Sequence, residues 1–174
     1  MRLELGSGPR PTKGYITSDV NASDDIDIVA SAPNIELPND SLDEVIAIAL
    51  MEHLTYEDFG KALVNVARML KPGGKFYFDV PDLPVWCEYL AKIVRGERVP
   101  FTRRAIYKTI YGHQRFPGDT HASGWDNETL AEALDNAGFL DIEYGVEHFL
   151  ANGLERVRFH RPLNAHIYVV ATAP

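Results

Sequence analysis

Two glycines follow a short apolar stretch near the start of the chain, in residues 3–8 (LELGSG). Because glycine has no side chain, a ligand can lie directly against the backbone at such a turn. In an open α/β sheet, ligands bind beyond the carboxyl ends of the strands, which is where this turn would lie. Any tight turn after a strand also favours glycine, so the motif alone leaves both a ligand site and a plain turn open.

Asp19 lies near the end of the next apolar segment, residues 15–20 (YITSDV). Its carboxylate can accept hydrogen bonds from both hydroxyls of a ribose, although a loop acid that solvates the strand end is the alternative. A dinucleotide site would need a third glycine that opens a helix and an acid about 20 residues further on. Arg10 stands in place of that glycine, and Asp19 follows Gly8 at about half that spacing. An NAD-type dinucleotide is therefore the weaker candidate.

Glu52 and His53 follow an apolar run, residues 42–50. With an ordinary pKa near about 6.5, a histidine can take a proton from an oxygen nucleophile at neutral pH. We therefore consider His53 a candidate general base, with Glu52 beside it. The alternative is that His53 is a hydrogen-bonded structural group ahead of the next helix.

A mixture of aromatic and hydrogen-bonding side chains occupies residues 111–125. Such a mixture suits a carbohydrate or aromatic acceptor, and loops of this kind often carry function; a polar loop that folds on itself is the alternative. The candidate substrate-binding residues are Tyr111, His113, Gln114, His121 and Trp125. The spacing of His113, Asp119 and His121 could suggest a metal site, but they lack a cysteine and a paired-histidine helix motif, so we expect no metal.

Basic residues form two groups in an otherwise acidic chain. They could hold a phosphate or carboxylate of the substrate, but an exposed helix face is the commoner explanation. The two groups are Arg95, Arg98, Arg103, Arg104 and Lys108, and then Arg156, Arg158, His160 and Arg161. Lysine and arginine number 17 against 25 acidic residues, which gives a formal net charge of −8. Such a field would repel a polyanion, so DNA and RNA are disfavoured partners.

Length and composition predict one cytoplasmic domain spanning residues 1–174. A chain of 174 residues suits a single compact domain. Its 45% hydrophobic and 24% charged residues are typical of soluble proteins, and no apolar run reaches membrane-spanning length. The first residues do not resemble a signal peptide, and the single cysteine, Cys87, cannot form an internal disulfide. We therefore expect no association with a membrane.

Strand and helix patterns alternate along the first half of the chain. Apolar segments between turn-rich loops predict strands over residues 2–5, 15–20, 26–30, 42–50 and 75–80. Thr55 followed by Asp58 predicts the start of a helix that continues until the LysProGlyGly turn. A strand, a helix and a second strand in this order form a parallel crossover unit. The prolines between the first two strands leave little room for a helix there.

The second half contains a predicted insertion and the last strands. Residues 83–124 hold two amphipathic segments and a polar loop, which we interpret as an insertion over the sheet edge. Asp126 or Asn127 caps a helix that ends before Gly138. Residues 142–146 and 165–173 are the predicted last strands, joined as a long hairpin.

These motifs together resemble the class I S-adenosylmethionine (SAM)-dependent methyltransferases, particularly the short predicted methyltransferases of the methyltransferase type 11-like group. The resemblance rests on LELGSG, GYITSDV, ELPNDSLDEVIAIALMEHL and VARMLKPGGKFYFDVPDL in order, and more loosely on TLAEALDNAGF. It covers about the first half of the chain densely. It implies a Rossmann-like α/β fold with a seven-stranded, mainly parallel sheet and helices on both faces.

The resemblance also assigns roles to residues. It implies that the glycine turn lines the methionine part of SAM, that Asp19 holds the ribose and that two further segments flank the adenine. The implied cofactor-binding residues are Glu4, Leu5, Gly6, Ser7, Gly8, Asp19, Val20, Ala30, Ser31, Ile48, Ala49 and Leu50. Glu52 and His53 would then face the region where an acceptor approaches the methyl group. The implied activity is methyl transfer from SAM to a small molecule, such as a sugar-like hydroxyl or carboxyl, with residues 83–124 as a substrate cover.

The sequence departs from the family pattern in three places. The third glycine and the first helix are missing, Ala30 or Ser31 replaces the acid that usually meets the adenine, and no helices precede the first strand. We therefore expect a shortened or absent first helix, and a homodimer in which a second subunit completes the site. A SAM-fold protein without catalysis, acting as a partner or scaffold, is the alternative function.

Overall fold

A seven-stranded sheet forms the centre of the molecule, in the order β3-β2-β1-β4-β5-β7-β6. The computed structural model describes residues 1–159 and 163–174. The strands are β1 Arg2–Leu5, β2 Ile16–Asp19, β3 Ile28–Val29, β4 Leu42–Ala47, β5 Leu70–Pro81, β6 Leu140–Tyr144 and β7 His166–Thr172. β7 runs antiparallel to β5 and β6, whereas the pairs among β1 to β5 are parallel. The predicted seven-stranded, mainly parallel sheet is confirmed.

Helices cover both faces of the sheet, as predicted. The α-helices are α1 Tyr56–Met69, α2 Leu83–Val94, α3 Arg103–Tyr111, α4 Asn127–Asn136 and α5 Val146–Ala151. On one face, Phe59 of α1 and Leu130 of α4 belong to a cluster that includes Val45 of β4. On the other face, Phe149 of α5 packs in a cluster with Ile46 of the same strand. Successive residues of β4 therefore point to opposite faces, as in any strand.

The connection between β1 and β2, residues 6–15, contains no helix, which confirms the expected absence of the first helix. Tyr15 at the end of this connection packs with Phe149 and Val157 from the segment between β6 and β7. That segment was predicted as a long hairpin. β6 and β7 are indeed antiparallel neighbours, but the residues between them form α5 and the 3-10 helices Glu155–Phe159 and Leu163–Ala165. These elements shield the sheet face that lacks the first helix.

Helix α1 begins where the sequence predicts, because the Thr55 hydroxyl accepts a hydrogen bond from the Asp58 backbone N–H at 3.1 Å. Its neighbouring strands differ from the prediction. β4 ends at Ala47 rather than at Leu50, since Ala49 adopts a left-handed backbone with φ of +53°. β5 begins at Leu70 rather than at Lys75, with an irregular register opposite Leu42 and Glu44.

Residues 83–124 form α2, α3 and a long loop at one end of the sheet. Trp86 of α2 and Ile106 of α3 make a small core of their own with Ala165, and the Trp86 indole N–H donates to the Ala165 carbonyl at 2.9 Å. This segment is therefore attached beside the start of β7; its role as a substrate cover stays a prediction. Within the described ranges, no helix has the length and apolar character needed to cross a membrane.

Candidate functional site

The glycine turn and Asp19 meet at the carboxyl ends of β1 and β2. The Gly8 backbone N–H donates to Asp19 Oδ2 at 3.1 Å. Gly6 and Gly8 have φ of +61° and +57°, a conformation that glycine adopts without the steric cost of a side chain. The two motifs predicted to act together therefore share one space at the edge of the sheet.

The neighbours of these residues hold the turn in place. Ser7 is fully buried, and its hydroxyl lies between the carbonyls of Glu4 and Ser18, so its side chain ties β1 to β2. Leu5 is also fully buried, in the main core. Asp19 Oδ1 accepts two hydrogen bonds from Asn21, from its backbone N–H at 2.8 Å and its amide at 3.1 Å. Leu5 and Ser7 could therefore contact a ligand only through the backbone.

Glu4 lies beneath the glycine turn with no exposed surface. Its Oε2 accepts a hydrogen bond from the Thr12 backbone N–H at 2.6 Å, and its Oε1 accepts one from Arg156 Nη1 at 2.6 Å. A Cβ placed on Gly8 would lie 3.9 Å from Arg156 Nη2. The guanidinium of Arg156 therefore stands beside the turn predicted to hold the methionine part of the cofactor.

Sequence reasoning did not place Arg156 at this site and treated it only as part of a basic group. The guanidinium reaches Glu4 across 152 residues of sequence, from the 3-10 helix between β6 and β7. The sequence shows Arg156 as a basic residue in an acidic chain, and this does not identify Glu4 as its partner. Of the same basic group, His160 and Arg161 lie outside the described residues.

The end of β4 forms a second wall beside the turn. Leu50 packs so closely on Gly6 that a Cβ at position 6 would lie 2.7 Å from Leu50 Cδ1. Ala49 is exposed, and its N–H donates to Asp79 Oδ1 at 3.0 Å. Ile48 is buried in the core beneath α5. Ala49 and Leu50 thus border the site, whereas the Ile48 side chain points away into the core.

The residues after β2 and β3 lie close to Asp19. The Ala30 N–H donates to the Asp19 carbonyl at 3.0 Å, and the Ser31 hydroxyl accepts a hydrogen bond from the Asn34 amide at 2.9 Å. Val20 is 64% exposed. Each of these residues borders the same carboxyl edge, and their contact with adenine stays a prediction.

Glu52, His53 and His121 converge beyond the carboxyl end of β4. Glu52 Oε1 lies 4.0 Å from His121 Nε2, and the two imidazole rings are 4.8 Å apart, edge to face. Burial lowers the pKa of His53, against the opposing effect of hydrogen bonding to the Thr120 backbone. Burial also lowers the pKa of His121, to about 4. Both imidazoles are therefore neutral at neutral pH.

The other predicted substrate residues lie elsewhere. Tyr111 is 60% exposed, His113 is exposed, and Gln114 is exposed with its amide donating to the Tyr111 carbonyl at 3.3 Å. Trp125 is buried, with its ring 4.1 Å from that of Phe59. Of the five predicted substrate residues, His121 is the one placed against Glu52 and His53, and Trp125 packs in the main core.

A cavity of about 380 Å³ opens at the carboxyl ends of β5 and β6. Its lining includes Asp82, Tyr144, Tyr168 and His166. His166 Nδ1 lies 3.1 Å from Oδ2 of the buried Asp79, the carboxylate that also binds the Ala49 N–H. One carboxylate therefore links the turn after β4 to the cavity wall. No motif in the sequence pointed to Asp79 or His166.

Comparison with known families and structures identifies the relatives of this architecture. A family model described as a methyltransferase domain matches residues 7–144. No curated protein sequence matches the chain.

Several solved structures of similar fold are methyltransferases. A SAM-dependent methyltransferase from Thermotoga maritima is 16% identical, with a TM-score of 0.58 over 99% of this chain and 81% of that one. A SAM-dependent methyltransferase from Archaeoglobus fulgidus is 16% identical, with a TM-score of 0.60 over 98% and 85% of the chains. The Burkholderia thailandensis 1,6-didemethyltoxoflavin-N1-methyltransferase, solved with its substrate and S-adenosylhomocysteine, is 16% identical, with a TM-score of 0.57 over 99% and 69%. At this identity, the similarity establishes the fold.

Proposed function

Because this chain belongs to the methyltransferase-domain family, we propose that it transfers a methyl group from SAM to a small-molecule acceptor. The observation that carries the proposal is the hydrogen bond between Gly8 and Asp19. It places a bare glycine backbone and a carboxylate around one space at the carboxyl edge of a parallel sheet, where such folds bind ligands.

The two ends of the site suit the two ends of the cofactor. The Asp19 carboxylate can accept hydrogen bonds from the ribose hydroxyls, and Ala30 and Ser31 follow β3 beside it. At the other end, Glu4 and Arg156 offer a negative and a positive group beside the glycine turn. The amino-acid part of SAM carries an ammonium and a carboxylate, so this pair is complementary to it. The similar Burkholderia structure, which contains S-adenosylhomocysteine, supports this choice of ligand.

Methyl transfer mainly requires alignment of the nucleophile, the methyl carbon and the sulfur. The acceptor oxygen forms its new bond to the methyl carbon as the carbon–sulfur bond breaks, and the electron pair stays on sulfur. When the acceptor is a hydroxyl, it must also lose its proton. We assign the removal of that proton to His53, with Glu52 beside it. His53 suits this role because its Nδ1 faces the Thr120 carbonyl at 3.2 Å. Nδ1 must carry the proton in that contact, which leaves the lone pair on Nε2.

The acceptor is proposed to be a small molecule with a sugar-like hydroxyl or a carboxyl, covered by residues 83–124. Tyr111, His113, Gln114, His121 and Trp125 remain the predicted contacts. A cytoplasmic location and a homodimer also stay predictions; sedimentation equilibrium would test the dimer.

A second candidate function is that of a SAM-fold binding protein without catalysis, which acts as a partner or scaffold. The observation that favours it is the Glu4–Arg156 ion pair, which stands where the cofactor's amino-acid end would bind. If that pair never opens, the protein could act as a partner or scaffold but could not hold SAM productively.

Isothermal titration calorimetry with S-adenosylhomocysteine and, separately, with NAD tests the proposal. We expect saturable binding of one S-adenosylhomocysteine per chain and no binding of NAD. Binding of NAD alone would contradict the proposal, and absence of both would favour the scaffold.

A further inference from the structure

Three potential metal ligands meet where two distant segments of the chain touch. Glu52 and His53 belong to the 3-10 helix Met51–His53 after β4, and His121 lies in the loop between α3 and α4. Each residue offers one ligand atom, and these three atoms lie within 4.8 Å of one another. Histidine nitrogen and carboxylate oxygen are ligands that divalent transition metals accept.

Backbone hydrogen bonds fix the relative position of the two segments. The N–H groups of Ala122 and Ser123 both donate to the Glu52 carbonyl, at 2.9 and 3.3 Å. The Thr120 carbonyl faces His53 Nδ1 at 3.2 Å. His121 is therefore held against the Glu52–His53 turn from both sides of its own position in the loop. The proximity of the three side chains follows from backbone pairing rather than from chance contact of flexible surface groups.

The His53 imidazole makes the kind of backbone contact that metal-binding histidines usually make. Such histidines commonly donate one ring N–H to a backbone carbonyl, which directs the other nitrogen at the metal. His53 faces the Thr120 carbonyl, with the Gly118 backbone also near its ring. Burial lowers the pKa of His121, against the opposing effect of the Thr109 backbone. Its Nε2 faces Glu52.

Charge and burial also suit a cation. Glu52 is 3% exposed, and a buried carboxylate is costly unless charge or hydrogen bonds compensate it. The nearby Asp119 is ion-paired with Arg115 at 2.9 Å, so these two charges largely cancel. A divalent cation beside Glu52 would add to the groups that compensate its buried charge.

We propose that Glu52, His53 and His121 bind one divalent transition-metal ion, with Zn²⁺ as the expected metal. Two histidines and one glutamate are a known ligand set of catalytic zinc sites, in which a fourth position stays open. Tetrahedral bonds of about 2.0–2.1 Å place ligand atoms about 3.4 Å apart, so side-chain adjustment of an ångström or so would close the site. The sequence predicted no metal, because the ligands come from segments that only the fold brings together.

This inference rests on the proposed methyl transfer and would refine it. The open position would bind the acceptor oxygen, and the metal would lower the pKa of that oxygen. The proton would then pass to solvent, with His53 a ligand rather than the base.

Titration with Co²⁺, followed by its visible absorption, tests the site without any acceptor. All proteins would carry Cys87→Ser, because Cys87 is a free, exposed thiol that could bind Co²⁺ by itself. We expect one Co²⁺ per chain, displaced by Zn²⁺. Glu52→Gln and His121→Gln, which keep side-chain size, should each weaken binding at least about tenfold. His148→Gln, a partly exposed histidine of α5 outside the three-residue cluster, is the matched control and should bind Co²⁺ as the parent does.

Two outcomes would overturn the proposal: no saturable Co²⁺ binding by the folded parent protein, or equal binding by His121→Gln and His148→Gln. S-adenosylhomocysteine binding is measured on the same samples. In the parent protein, absence of Co²⁺ binding together with S-adenosylhomocysteine binding would reject the metal alone, whereas absence of S-adenosylhomocysteine binding would reject the methyltransferase proposal.

Discussion

Arg156 Nη1 donates to Oε1 of the fully buried Glu4 at 2.6 Å, across 152 residues of sequence. The contact joins the segment between β6 and β7 to the end of β1. The fold lacks a helix between β1 and β2, and this segment packs on that face instead. The same segment therefore provides both cover for the sheet and a charged group beside the candidate cofactor site.

Replacing Arg156 should affect the amino-acid end of the cofactor selectively. Arg156→Gln should weaken S-adenosylhomocysteine binding by about tenfold, or about 1.4 kcal/mol, because the carboxylate of the ligand loses its cationic partner. Binding of 5′-methylthioadenosine, which lacks the amino-acid part, should not change. Calorimetry on both ligands measures the difference, with the exposed Arg104→Gln as control. Tighter binding of S-adenosylhomocysteine by Arg156→Gln would show instead that the ion pair blocks the site.

Gly6 is required for two separable reasons, its backbone and its contact with Leu50. Gly6→Ala should lower the free energy of unfolding by about 1–3 kcal/mol, because Ala would be strained at φ of +61° and would meet Leu50 Cδ1 at 2.7 Å. Gly73 has a similar φ of +79° but open space around it. Gly73→Ala should therefore lower the free energy of unfolding by less than Gly6→Ala does. Urea denaturation compares the two.

The Leu50 contact can then be isolated. In a Leu50→Ala background the additional cost of Gly6→Ala should fall to that of Gly73→Ala. An unchanged cost in that background would mean that backbone strain alone explains the need for glycine.

Helix α4 should carry a pH-dependent cap. The Asp126 carboxylate accepts a hydrogen bond from the Thr129 N–H at 2.8 Å, and this contact lowers the pKa of Asp126. A lowered folded-state pKa stabilises the fold above the unfolded pKa of about 3.9 and loses that effect as the pH falls through the folded-state value.

Asp126→Ala should therefore lower the free energy of unfolding by about 1 kcal/mol at pH 7, and by progressively less below about pH 4. Asp126→Asn, which keeps a capping oxygen but does not titrate, is the control. Urea unfolding between pH 7 and pH 3 measures both. A constant difference between wild type and Asp126→Ala over this range would refute the role of the charge.

Features set by neighbouring residues were predictable from the sequence. Thr55 with Asp58, and Asp126 with Gly138, mark helix ends through contacts a few residues apart, and the structure has these caps. The glycine turn and Asp19 were also paired correctly, because consecutive parallel strands place their carboxyl ends side by side.

Other features depend on contacts between distant segments. The early end of β4 follows from the left-handed backbone of Ala49, whose N–H is held by Asp79, and no local signal marks an alanine for that conformation. Arg156 reaches Glu4, and His121 reaches Glu52, only because the fold brings remote segments together. Sequence patterns named the candidate residues in the loop but could not show that Trp125 packs in the core.

The proposed cofactor site depends most on the Asp19 carboxylate. Asp19→Ala and Asp24→Ala remove equal charge at two places, because Asp24 is an exposed acid after the same strand. Calorimetric titration with S-adenosylhomocysteine measures the affinity of each variant. We predict that Asp24→Ala binds like wild type and that Asp19→Ala binds at least about tenfold more weakly, since hydrogen bonds to a charged group contribute about 1.5–3 kcal/mol. Equal affinity of the two variants would contradict the account.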